Sequence, residues 1–234
     1  MNRENAKNRP EANKESEPLK PQTLDPKTVG GVAPTADQAI DMGLSVKWAP
    51  WNVGASKAEE CGAYFAWGEV NASKESYDCD TYFYFEGIGN DDEVRFKYDG
   101  SVENEILESS DDAATANWGS GWRMPTIAEW RELVDDNNCT WTWIENYNDF
   151  GINGYEVKSK RTDGVLFLPA AGFRRILPEF SGGVGDFGTY WSSVLYQGCA
   201  PAARCIHFCL NCHTFEIYDR NTGFSVRAVA VSAE

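Results

Sequence analysis

Nowhere in this chain do eighteen apolar residues follow one another, so no segment reads as a membrane-spanning helix and membrane insertion is not expected. An apolar leader is missing too. The N-terminus runs Met-Asn-Arg-Glu-Asn-Ala-Lys, so the chain as it stands carries no secretory signal. Histidine is scarce: there are two, His207 and His213, which leaves acid–base chemistry few candidates beyond carboxylates. No Ser-His-Asp order, His-Glu-x-x-His or calcium-loop pattern occurs, and no catalytic residues and no cofactor are assigned. The glycine-rich run Ser181-Gly182-Gly183-Val184-Gly185 lacks the Gly-Lys-Ser/Thr ending and the following helix of a phosphate cradle, and reads as a flexible loop. Positive charge is in deficit, with 21 Lys and Arg against 36 Asp and Glu and a net charge of −15. Such a body repels phosphate backbones, which argues against nucleic-acid binding. Cysteine is present but unorganised. Seven residues at irregular spacing make no disulfide framework, and a chain of this length needs none. Cys61, Cys79 and Cys139 read as single, mostly buried thiols.

Aromatics are plentiful, with nine Trp, ten Tyr and twelve Phe, enough for a large core. Residues 1–36 read as a separate tail, interrupted by Pro10, Pro18, Pro21, Pro26 and Pro34, and residues 1–37 balance six basic against six acidic groups. The tail holds too little apolar surface to offset its ordering entropy, and is expected to be disordered or ordered by a partner. One domain, 37–234, follows. Leu44, Val46 and Trp48 alternate like a strand, and Ala63–Trp67 and Thr81–Phe85 are further strand candidates. Glu86–Ser110 reads as an acidic surface excursion. A short helix is expected around Asp111–Asn117. The clearest helix follows Pro125, where Thr126-x-x-Glu129 is a capping box and Ile127, Trp130, Leu133 and Val134 share a face. Beyond Cys139 come short strands at Thr140–Ile144, Tyr155–Lys158, Val165–Leu168, Thr189–Ser193, Arg204–Phe208, Thr214–Tyr218 and Ser225–Val231. Few helices and many short strands make an α+β domain. Arg123, Arg174 and Arg227 recur beside apolar residues and are expected to pair with carboxylates such as Glu69 or Glu129.

The span Tyr190–Val229 stands out. Its ends are strand-like, Tyr190-Trp191-Ser192-Ser193 and Gly223-Phe224-Ser225-Val226-Arg227-Ala228-Val229, and its middle holds Cys199, Cys205, Cys209, Cys212 and both histidines. Regular ends around an idiosyncratic middle suggest a rigid frame displaying a changeable surface. A zinc site from Cys205, Cys209, Cys212, His207 and His213 is the rival reading. Cys209-x-x-Cys212 has a known ligand spacing, but no second matching pair completes it, and no metal is assigned. A disulfide within Cys199–Cys212 is another alternative.

Six blocks carry a resemblance: Gly43-Leu44-Ser45-Val46-Lys47-Trp48-Ala49 with Asn52-Val53-Gly54-Ala55; Tyr64-Phe65-Ala66-Trp67-Gly68-Glu69; Ala113-Ala114-Thr115-Ala116-Asn117-Trp118-Gly119 with Trp122-Arg123-Met124-Pro125-Thr126 and Glu129-Trp130; Phe167-Leu168-Pro169-Ala170-Ala171-Gly172-Phe173-Arg174; Tyr190-Trp191-Ser192-Ser193; and Ser225-Val226-Arg227. In this order they resemble the Fibrobacter major paralogous domain family, common in Bacteroidetes, across roughly residues 40–231. The resemblance implies a C-type lectin-like fold, two helices on a twisted antiparallel sheet, similar to the variable proteins of diversity-generating retroelements. It implies a receptor- or ligand-binding module, such as a phage-tail protein or bacterial surface adhesin, extracellular on a virion or cell surface. It also implies frame residues at Ala203, Ile206, Phe208, Arg220 and Gly223. Strand alternation then turns Ile206 and Phe208 inward and Cys205 and His207 outward. The expected ligand surface is Tyr196, Arg204, Cys205, His207, Cys209, Asn211, His213, Phe215, Tyr218, Asp219 and Asn221, with Trp191 beneath, and its partner a protein or glycan on a cell surface bound without calcium. The alternative is a structural or assembly protein of a fibre, pilus or virion. In that reading the tail inserts into a neighbour, and a homo-oligomer through the tail is possible in either.

Overall fold

The computed structural model describes residues 30–72, 76–78, 81–82, 85–88, 94–101, 105–175 and 182–231. Most of the expected tail, Cys79 and parts of the Glu86–Ser110 excursion lie outside these residues. Fourteen strands and two α-helices are seen among them. The first half holds β1 (Tyr64–Phe65), β2 (Phe85–Ile88), β3 (Val94–Phe96), α1 (Ala113–Trp118), β4 (Trp122–Arg123) and α2 (Ile127–Val134). The second holds β5 (Cys139–Ile144), β6 (Gly154–Ser159), β7 (Val165–Pro169), β8 (Ala171–Phe173), β9 (Gly182–Val184), β10 (Phe187–Leu195), β11 (Ala202–Cys209), β12 (Cys212–Asp219), β13 (Phe224–Ser225) and β14 (Val229–Ala230). The class is α+β. No helix among the described residues is long and apolar enough to cross a membrane.

Local chemistry sets both helices. Asp112 caps α1, its carboxylate accepting from the Ala114 and Thr115 amides at 2.9 Å and from Met124 N–H at 2.8 Å. The capping box of α2 forms as the sequence indicates: Thr126 Oγ1 accepts from Glu129 N–H at 3.3 Å, and the Glu129 carboxylate accepts from Thr126 N–H at 2.8 Å. Ile127, Trp130 and Leu133 are buried.

The main sheet runs β1-β13-β10-β11-β12, with β8 and β9 attached beside β10. It is mixed rather than antiparallel, because β10 pairs in parallel with both β13 and β8. A second, antiparallel sheet is β5-β6-β7. The Leu44–Trp48 alternation does not make a strand. Residues 43–46 turn, and only Trp48 forms bridges, to Ile40 and Val229. Leu44 and Val46 accordingly stay half-buried, while Trp48, Trp122, Trp130, Leu168, Trp191, Phe208 and Val226 are core.

Both faces of the main sheet are covered. Tyr190, Ile206 and Phe208 face a core with Trp48, Trp130, Leu133 and Leu168. Their strand neighbours Trp191, Ala203 and Cys205 face a second core with Phe65, Trp67, Phe224 and Val226. Trp191 Nε1–H donates to the Phe65 carbonyl at 2.8 Å, so its polar edge is satisfied inside the second core.

Arg123 meets the expected carboxylate, with Nη1 2.9 Å from Glu129 Oε2 and Nη2 bonded to the other oxygen. Arg227 does not. Fully buried, it donates to Asn52 Oδ1 at 2.8 Å and to the carbonyls of Ala49 and Phe167 at 3.1 and 2.9 Å. Burial lowers its pKa to about 10. Arg174 lies over the Tyr64 ring, 4.2 Å from its centroid.

Candidate ligand-binding surface

β11 and β12 form a hairpin at the end of the main sheet, joined by the two-residue turn Leu210-Asn211. Its register runs without a slip from Ala202↔Asp219 to Cys209↔Cys212. The tip is held twice. A disulfide joins Cys209 and Cys212, and the Tyr155 hydroxyl reaches the carbonyls of Cys209 and Leu210 at 3.0 and 3.1 Å. At the base, Arg220 is buried. It donates to the Tyr98 carbonyl at 3.0 Å, and its guanidinium lies among the rings of Phe96, Trp67 and Tyr82 at 4.3, 5.5 and 5.6 Å.

Alternation along this ladder sends the candidate residues to two faces, not one. Cys205, His207, Cys209 and Tyr218 lie on the Trp191 face, with Thr214 and Glu216. Arg204, His213, Phe215 and Asp219 lie on the Tyr190 face, with Ile206, Phe208 and Ile217.

Cys205 corrects the expectation that it is displayed. It is 0% exposed, packed in the core that contains Trp191, and its Sγ–H points to the Glu216 carbonyl at 3.6 Å. Burial pushes the thiol far up, so it stays neutral and unreactive. The cause is topological. β11 is an interior strand with a core on each face, so alternation there selects between two cores rather than between core and water.

The other candidates reach the surface to different extents. His207 is half-buried, with Nδ1 3.0 Å from Thr189 Oγ1 and its ring 5.2 Å from that of Phe187. Burial lowers its pKa. His213 is half-buried against Trp141 at 5.3 Å and Tyr155 at 6.5 Å. Both imidazoles therefore sit in aromatic packing. The Arg204 guanidinium lies over the Tyr196 ring at 5.0 Å, and its buried Nε finds no hydrogen-bond partner among the described residues. Phe215 is exposed beneath the Arg131 guanidinium at 5.6 Å. Tyr218 meets Phe224 edge-on at 5.2 Å. Asn211 is exposed at the tip, and Asp219 and half-buried Asn221 lie at the far end.

Among the described residues no three His, Cys, Asp or Glu side chains converge as a metal site requires. The disulfide also occupies the thiols of the Cys209-x-x-Cys212 pair.

The chain matches no protein family, no curated protein and no solved structure to which it was compared. Its surface must therefore speak through its own chemistry. Sequence reasoning missed three contributors: Ile217 and Leu210, both exposed, and Arg131 of α2. Ile217 carried a signal, since it follows Phe215 by two on a strand. Arg131 carried none, because its place over Phe215 is set by how α2 crosses the sheet.

Proposed function

We propose that this chain is a ligand- or receptor-binding module with a C-type lectin-like frame. It presents the hairpin and its preceding loop, Tyr196 to Asn221, to a protein or glycan on a cell surface. The setting is extracellular, on a phage tail or bacterial surface, and binding needs no calcium. One observation carries this reading: a hairpin pinned at tip and base, whose strand β11 has core on both faces, leaves Phe215 and Ile217 of β12 exposed beside the half-buried Tyr196 and Arg204. Rigid supports with exposed aromatic and Arg groups are where recognition energy concentrates. Tyr196, Arg204, His213, Phe215 and Asp219 form one flank of the surface, His207, Cys209 and Tyr218 the other, with Asn211 at the tip and Asn221 at the base. Cys205 and Trp191 support it from beneath. Binding rather than catalysis is favoured because both histidines are engaged in ring packing. On the retroelement reading, the adjoining genome carries a reverse transcriptase and a near-copy of the segment encoding Tyr190–Val229.

The test is binding to candidate host or neighbouring cells. Tyr196→Ala, Arg204→Ala and Phe215→Ala combined should abolish binding while the protein still melts cooperatively. Undiminished binding by this folded triple variant overturns the assignment of the site.

A further inference from the structure

β12 ends the main sheet, and its outer side meets no strand among the described residues. In an antiparallel hairpin with a two-residue turn, the closing pair exchanges both backbone bonds and the pairs then alternate. Cys209 and Cys212 close this turn, so Cys212, Thr214, Glu216 and Tyr218 turn their N–H and C=O groups toward β11. The Arg220 N–H to Pro201 carbonyl bond, 2.9 Å, continues that alternation one step beyond the strand. His213, Phe215 and Ile217 therefore aim their backbone groups outward, where no further backbone bond meets them among the described residues.

Proteins usually blunt such an edge with Lys, Pro or a bulge. β12 has none of these: Cys-His-Thr-Phe-Glu-Ile-Tyr-Asp pairs with β11 in unbroken register. Phe215 and Ile217, 37% and 44% exposed, stand two residues apart on one face. Two guanidiniums flank them. Arg131 lies over Phe215, and Arg204 sits across the ladder from Ile217. Neither meets a carboxylate among the described residues, in a chain of net charge −15.

We propose that β12 is a strand-accepting edge, and that the ligand of the hairpin is an extended polypeptide segment bearing acidic side chains. The segment adds as the next strand of the sheet. Its backbone pairs with His213, Phe215 and Ile217, its apolar side chains cover Phe215 and Ile217, and its carboxylates meet Arg131 and Arg204. A polypeptide supplies a donor and an acceptor at every second residue, in step with the open groups of β12, and a glycan does not. This rests on the binding reading above and names the class of partner.

The probe is a capped synthetic peptide of repeated Val-Thr-Glu-Thr, which sets Val and Glu on one face as Phe215, Ile217, Arg131 and Arg204 require (the Val/Glu peptide; Lys replaces Glu in the Val/Lys peptide), added to the full chain while amide hydrogen exchange is followed by NMR. At millimolar peptide, exchange at His213, Phe215 and Ile217 should slow by about tenfold or more, with Thr214 and Glu216 unchanged. The same peptide N-methylated at alternate amides should give no protection, and a Val/Lys peptide much less. Arg131→Ala should weaken the Val/Glu peptide. Ile217→Pro should abolish its effect, since proline there removes an outward N–H and spares the bonds to β11. As proline can also loosen a strand, the N-methylated peptide makes the same test from the ligand's side. No protection by the Val/Glu peptide, or equal protection by its N-methylated form, overturns strand addition. So does protection of these amides that grows with protein concentration alone, which assigns the edge to a second copy. If strand addition fails while the Tyr196/Arg204/Phe215 variant still loses cell binding, the hairpin stands as the site and only the peptide class falls.

Discussion

Cys205 shows how much rests on single side chains in the hairpin. Because it is buried and neutral, it acts as packing beneath the surface. In the native protein, iodoacetamide should modify exposed Cys199 and leave Cys205 and Cys139 untouched until the chain is unfolded, as read by peptide mass mapping. Cys205→Ser should cost about 1–3 kcal/mol in urea unfolding, because it buries a hydroxyl in an apolar cluster. Prompt alkylation of Cys205 would mean that β11 presents its other side. Legibility at this scale followed locality. Arg123 and Glu129 are six residues apart and their pairing was readable, whereas the groups that hold Arg227 come from distant segments and two are backbone carbonyls. Carbonyls leave no mark in a sequence.

Among the elements, α2 was written most plainly, since a capping box needs only residues within one turn. Glu129 does more than cap, because it also receives Arg123. Burial by itself raises the Glu129 carboxyl, but the bonds from Arg123 and Thr126 outweigh it and hold the group below its usual range. The sign follows. Its contribution to stability is complete above the unfolded carboxylate value of about 4.3 and is lost as pH falls through the lower folded value. Thr126→Ala should cost about 1 kcal/mol and Glu129→Ala about 2 kcal/mol, the second discounted for the partial exposure of Arg123. Thermal melts at neutral pH check the order, and equal losses would mean that the ion pair contributes nothing. β8 went unread and Gly182–Val184, expected as part of a flexible loop, is the strand β9 that pairs with it, but the other strands of the second half were legible from alternation and turn residues. Their partners were not, because nothing in a strand's own sequence tells an edge from an interior position. That is why β11 was read as half-exposed and β12 went unrecognised as the open edge.

At the scale of the whole molecule, Val32 and Pro34, within the expected tail, are tied to the body. Trp122 Nε1–H donates to the Pro34 carbonyl at 3.1 Å, Trp51 Nε1–H to the Val32 carbonyl at 2.7 Å, and Val32 N–H to the Ala55 carbonyl at 3.0 Å. Removing residues 1–36 strands the buried Trp122 donor, which removing 1–29 does not. Extending the deletion from 29 to 36 should lower Tm by roughly 5 °C. Identical melting of the two truncations would show that these bonds do not matter. The α+β class was visible from the count and length of elements. The two cores on either side of one sheet were not, since Tyr190 and Trp191 are adjacent in sequence and belong to different interiors.

The seam between the early and late parts of the chain also bears on how the protein is made. Ala49, Val53 and Ala230 N–H groups bond the carbonyls of Ala228, Val226 and Lys47, and Arg227 clasps Asn52 across 175 residues. On a ribosome, Trp48 and its neighbours emerge first and have no Val229 to lie against until the far end of the domain has cleared the exit tunnel. The seam thus closes only once residues 226–230 have emerged, and a nascent chain halted before residue 226 leaves its earliest aromatic segment bare to chaperones and to other chains.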